Sequence, residues 1–141
     1  MKLRDIMTTD VVRISPEENV AVASRTMAHY NVGALPVCGN DGKICGIITD
    51  RDIVTRCLAA DRQPKNTTVR DIMTRGISAV RPDMELQTAA ALMSSNQIRR
   101  LPVMENGKLC GIVSLGDLAV QGKEEAARAL SGISAGISRR E

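Results

Sequence analysis

Gly46-Ile47-Ile48-Thr49-Asp50-Arg51-Asp52 reads as a strand that runs into a helix, and the arrangement returns as Gly111-Ile112-Val113-Ser114-Leu115-Gly116-Asp117. In each copy a hydroxyl and a carboxylate stand three residues apart, Thr49 with Asp52 and Ser114 with Asp117. Working outward, the match extends. "GK-x-CGI" occurs at Gly42–Ile47 and Gly107–Ile112, "LPV" at Leu35–Val37 and Leu101–Val103, and "RDIMT" at Arg4–Thr8 and Arg70–Thr74. The offset is 66 residues and falls to 65 after a deletion near Asp41. A period that long is outside the range of solenoid repeats. The chain is two tandem units, so any site is expected in duplicate.

The whole chain has 141 residues, one domain's worth. Either half alone would bury too little surface for comfortable stability, so the copies are expected to pack together. Hydrophobic residues make up 43% and charged residues 25%, an ordinary soluble composition. With no Trp or Phe, and Tyr30 the only aromatic, the core must be aliphatic.

The net charge of +3 is spread without a basic block, and aromatic stacking platforms are absent. Both features argue against nucleic acid as a partner. No apolar run approaches a membrane span. The opening "MKLRDIMTTD" lacks a signal-peptide core, so the expected location is cytoplasmic. Cys38, Cys45, Cys57 and Cys110 form no C-x-x-C pair, and His29 is the single histidine. Core thiols are therefore the favoured reading, with no metal site.

Local signals place the motifs. Val11–Ile14 reads as a short strand. Ser15-Pro16-Glu17-Glu18 has the pattern of a helix start, with Ser15 as cap and Glu18 closing a capping box. That helix is expected to reach Tyr30, with Val20, Ala23, Ser24, Met27 and Asn31 along one face. Leu35–Cys38 and Lys43–Ile48 read as a hairpin around Gly39–Gly42, and a further helix is expected from Thr49 to about Ala60. The second copy gives a strand at Ile77–Val80, a helix at Asp83–Gln97, a hairpin of Leu101–Glu105 with Leu109–Val113, and a helix from Ser114. The segmentation is 1–60, a polar linker 61–68, 69–121, and a tail 122–141 with Ile133 and Ile137 as docking candidates.

This order, with these words in these places, resembles the tandem CBS-domain family, the Bateman module, of the small stand-alone bacterial type. The resemblance covers residues 3 to about 121. It implies an α/β (α+β) fold: two units of β-α-β-β-α order, related by a pseudo-twofold axis, with small sheets packed through their faces and helices outside. It also implies adenosine-containing ligands, AMP, ADP, ATP, NAD or S-adenosylmethionine, bound in a cleft between the copies. None is an obligatory cofactor.

Carried onto this chain, the resemblance gives Asp52 and Asp117 as acceptors for ribose hydroxyls, since one carboxylate can take both. Thr49 and Ser114 would meet ribose or phosphate. Ile47 and Ile112 would wall adenine, with Val11, Ile77, Val32, Ala34 and Ile98 completing the pocket. Family geometry sets Arg99 and Arg100 beside the Asp52 site, where Arg51 adds a third guanidinium suited to phosphate. The Asp117 site, with Gly116 in place of Arg51, is expected to be the weaker. T-x-x-D at a strand–helix junction is also a capping box in its own right, and the two roles are compatible.

No activated nucleophile paired with a base and no phosphate-binding Gly-Lys loop is present, so an enzyme is not expected. The reading is a regulatory module that senses an adenine nucleotide, forms a homodimer and signals through an effector protein not identifiable from sequence. The alternative is a structural dimerisation adaptor that has lost its ligand.

Overall fold

The computed structural model describes residues 1–121 and 127–134. The chain divides into two compact units that do not follow the repeat boundaries: Val12–Ile77, and Met1–Val11 together with Ser78–Glu141. Each repeat's opening "RDIMT" segment therefore belongs to the unit built on the other repeat's hairpin.

In the first unit, α1 (Val20–Tyr30) precedes a hairpin of β1 (Ala34–Cys38) and β2 (Ile44–Thr49). A single α-helical turn, α2 (Asp50–Asp52), then continues as a π-helix over Ile53–Leu58. A 3-10 turn at Pro64–Asn66 leads to α3 (Val69–Ile72). In the second unit, a 3-10 turn at Leu3–Asp5 is followed by α4 (Leu86–Asn96), a hairpin of β3 (Arg100–Glu105) and β4 (Lys108–Ser114), and α5 (Leu115–Gln121). A last helix, α6, covers 127–134. Each sheet has two antiparallel strands, and each carries one bulge, at Val37/Cys38 and at Val103/Met104.

The expected first strands, Val11–Ile14 and Ile77–Val80, reduce to single parallel bridges, Ile14 with Val37 and Val80 with Val103. The cause lies in the "LPV" motif. Ile14 N–H donates to Pro36 O and Cys38 N–H donates to Ile14 O, and the next rung would need an N–H on Pro36. Proline has none, so the ladder stops. Val80, Pro102 and Met104 repeat the pattern.

The helix starts also differ from expectation. α1 is capped by Asn19, whose Oδ1 accepts from Val22 N at 3.0 Å, not by Ser15. The backbone of the Ser15–Glu18 turn is used elsewhere: Val69 N donates to Glu18 O and Arg70 N to Pro16 O. The equivalent turn in the other repeat gives Met84 O to Leu3 N and Pro82 O to Arg4 N, and α4 begins at Leu86. Both helices end as expected, on left-handed residues Asn31 and Gln97.

The cores are aliphatic. Val20, Ala23 and Met27 of α1 pack with Leu35, Val37 and Ile48 of the hairpin and with Val69, Ile72 and Met73. Ser24 on that face is half-buried and Asn31 is exposed. In the second unit Leu3 packs with Leu86, Ala89 and Met93 of α4, Leu101, Val103 and Val113 of the sheet, and Ala129. Ile133, a docking candidate by sequence, is buried at 6% exposure in its own chain, and Ile137 lies outside the described residues. Cys38 and Cys57 are buried and Cys45 and Cys110 half-buried, all as free thiols.

Candidate functional site

Each T/S-x-x-D stands where a strand hands over to a helix. β2 ends at Thr49, and the first free N–H groups of α2 need acceptors. Asp52 N–H donates to Thr49 Oγ1 at 3.1 Å, and Thr49 N–H donates to Asp52 Oδ2 at 3.0 Å. In the second unit Asp117 N–H donates to Ser114 Oγ at 3.1 Å and Ser114 N–H to Asp117 Oδ2 at 2.8 Å. Both motifs are reciprocal capping boxes.

The "RDIMT" segment is laid against each motif. Thr74 exchanges both backbone hydrogen bonds with Ile47, at 2.8 and 3.0 Å, and Thr8 does the same with Ile112, at 2.9 Å each. The glycine before each isoleucine allows this approach. A Cβ on Gly46 would stand 2.5 Å from Thr74 O, and one on Gly111 would stand 2.7 Å from Met7 Sδ and 3.0 Å from Thr8 O. The duplicated "CGI" and "DIMT" words are thus two halves of one contact.

The two carboxylates differ beyond their caps. Asp52 is only 6% exposed. Thr74 Oγ1 lies 3.2 Å from its Oδ1 and 3.3 Å from its Oδ2, and Arg56 Nε lies 3.8 Å from Oδ1. Arg56 Nη1 also donates to Ile72 O and Met73 O, each at 3.2 Å. Asp117 is half-buried, and among the described residues only the Ser114 N–H donates to it. Thr74 and Arg56 were not singled out from sequence. The available signals were the repeated threonine of "DIMT" and the i, i+4 spacing of Asp52 and Arg56.

The remaining candidates distribute by unit. Ile47, Thr49, Arg51, Asp52, Val32, Ala34 and Ile77 lie in the first; Ile98, Arg99, Arg100, Ile112, Ser114, Asp117 and Val11 lie in the second. Ala34 pairs with Thr49, and Asp50 N–H donates to Gly33 O. Arg100 pairs with Ser114, and Leu115 N–H donates to Arg99 O. Arg51, Arg99 and Arg100 are exposed, Val32 is 38% exposed, and Ile47, Ile112, Ile77, Ile98, Ala34 and Val11 are half-buried.

Burial pushes the Cys38 thiol up, opposed by the Arg13 guanidinium. The Thr68 hydroxyl and N–H hold the Asp71 carboxylate below its ordinary value, with help from Arg62. Among the described residues no three His, Cys, Asp or Glu side chains gather in a group that could hold a metal ion. No described helix is long and apolar enough to cross a membrane.

Comparison with known proteins agrees with this construction. The chain is 42% identical to the CBS domain-containing protein YhcV of Bacillus subtilis, over 94% of each sequence. Its structure is similar to that of Hypoxic Response Protein I with two coordinated zinc ions, with a TM-score of 0.80 and 35% identity over 86% of this chain and 98% of that one. It is also similar to the CBS domain pair of MJ0100 in complex with 5'-methylthioadenosine and S-adenosyl-L-methionine, with a TM-score of 0.78 and 25% identity over 89% of this chain and 98% of that one. The CBS domain family matches residues 3–59 and 69–121. With its duplicated capping boxes and two small sheets, the chain belongs to the CBS-domain family as a CBS pair.

Proposed function

We propose that this protein is a regulatory, non-catalytic module that binds an adenosine-containing ligand through the Ser114–Asp117 motif. The carrying observation is the half-buried Asp117 carboxylate, which among the described residues is held by its cap through Oδ2 alone. A carboxylate held that way keeps lone pairs for the vicinal hydroxyls of a ribose. Arg99 and Arg100 lie in the same unit, next to Ser114 in the sheet register, and supply charge for phosphate. The adenosine ligands of the similar MJ0100 pair support the ligand class. AMP, ADP, ATP and NAD are favoured over S-adenosylmethionine, whose sulfonium gains nothing from guanidiniums.

Signalling then follows from differential affinity: the ligand favours one arrangement of the chain and an effector protein reads it. Val54 and Leu58, one turn apart on the π-helix and 55% and 53% exposed, offer an apolar face for a second copy of the chain.

The test is thermal unfolding with AMP, ADP, ATP, NAD and S-adenosylmethionine at fixed salt. A ligand at a hundred times its dissociation constant adds about 2.7 kcal/mol of stability. A shift that Asp117→Asn removes upholds the reading. No shift with any of them favours a structural adaptor, the reading that the fully engaged Asp52 already suits.

A further inference from the structure

We propose that Thr74 and Arg56 lock the Asp52 carboxylate, closing the first T-x-x-D to a ligand's hydroxyls and confining an adenosine ligand to Asp117. This rests on the ligand reading above and adds a specificity-determining residue, Thr74, that lies outside the motif itself.

The lock is built from three directions. Thr49 N–H occupies Oδ2, the Thr74 hydroxyl sits between both oxygens, and the Arg56 guanidinium faces Oδ1. A ribose diol needs those same lone pairs. Thr74 has little freedom to withdraw its backbone, because its N–H and C=O are both paired with Ile47. Arg56 strengthens the hold by binding the two carbonyls just before Thr74, those of Ile72 and Met73. At 6% exposure, Asp52 offers an incoming ligand almost no surface.

Among the described residues, the other repeat has no such lock on Asp117. Thr8 is paired with Ile112 just as Thr74 is with Ile47, yet its hydroxyl makes no hydrogen bond to Asp117. Gln121 takes the sequence position of Arg56. The hydroxyl contact and the exchange of Arg56 for Gln121 therefore separate the two carboxylates, beside the differences Asp50/Leu115 and Arg51/Gly116 within the motifs.

The experiment uses the full chain, with AMP and S-adenosylmethionine as probes in titration calorimetry. Asp117→Asn disables the second motif and sets the baseline. Adding Thr74→Ala to it is expected to bring back binding at least tenfold tighter than that baseline, while adding Thr74→Ser, which keeps the hydroxyl, brings back none. Asp52→Asn placed on top should abolish the regained binding. The lock is overturned if Thr74→Ala binds no better than the baseline, or if Thr74→Ser binds equally well.

Should Thr74→Ala fail to fold, Arg56→Gln in the same background loosens the same carboxylate and is judged by the same tenfold criterion. If the unaltered chain takes neither probe, the ligand reading fails by itself. The lock is then upheld by a Thr74→Ala chain that gains binding and overturned by one that does not.

Discussion

The Thr74 hydroxyl lies 3.2 and 3.3 Å from the two carboxylate oxygens of Asp52, joining the opening of one repeat to the closing motif of the other. Asp52→Ala would strand that hydroxyl and the Thr49 N–H and leave Arg56 without its anion. A loss of about 2–3 kcal/mol is expected, from a lost cap plus unsatisfied buried donors. Asp117→Ala removes only a cap and should cost about 1 kcal/mol. Urea unfolding of both variants checks the order, and equal losses would refute it.

Gly46→Ala sets a Cβ 2.5 Å from the Thr74 carbonyl, a backbone atom that cannot turn aside. Gly111→Ala meets the Met7 sulfur first, and that side chain can move. Both should destabilise by about 1–3 kcal/mol, Gly46→Ala more. Thermal unfolding of the pair measures the difference.

Gly132 lets α6 lie against α4. A Cβ there would overlap Ser94 Oγ and stand 2.7 Å from Ser94 Cα and O. Gly132→Ala is expected to lift the helix away and expose Ala129 and Ile133, now buried. Amide exchange across 127–134 should rise while exchange in the first unit stays unchanged.

Asp71 contributes to the acid dependence of the first unit's stability. Its folded pKa lies below the ordinary value of 3.8, chiefly through the Thr68 hydroxyl. The linked stability is therefore present above about pH 4 and is lost as pH falls through the folded value. Thr68→Ala should lower stability at neutral pH and flatten its acid dependence, as read from unfolding midpoints across that range.

Thiol chemistry should separate by exposure. Cys45 and Cys110 are half-exposed, whereas Cys38 and Cys57 are buried, and burial raises the Cys38 pKa. Iodoacetamide at pH 8 should label two cysteines in the folded chain and four in urea, with mass spectrometry locating the early pair.

Much of the fold is legible in the sequence because local signals and duplication agree. The hairpins follow from β-branched runs around glycine turns, where Gly42 and Gly107 take φ of 81° and 78°. Met27 and Met93, repeat equivalents, are core residues as their helical spacing indicates. The starts of α1 and α4 were not legible. Ser15-Pro16-Glu17-Glu18 is a good local helix signal, but its carbonyls are claimed by Val69 and Arg70, more than fifty residues away in the sequence. The first strands failed for a reason already written in "LPV", whose consequence shows only once the proline faces Ile14 or Val80.

The sequence alone determined the duplication, the aliphatic core and the two T/S-x-x-D capping boxes, since each depends on residues a few positions apart or on identity between copies. Tertiary structure decided which repeat each "RDIMT" segment serves, and that Thr74 and Arg56 engage Asp52 while, among the described residues, only its own cap engages Asp117. The threonine of "RDIMT" is identical in both copies and cannot show that difference. Whether a carboxylate's lone pairs are spent depends on which distant donors the fold brings to it, and spacing within the motif carries no record of them.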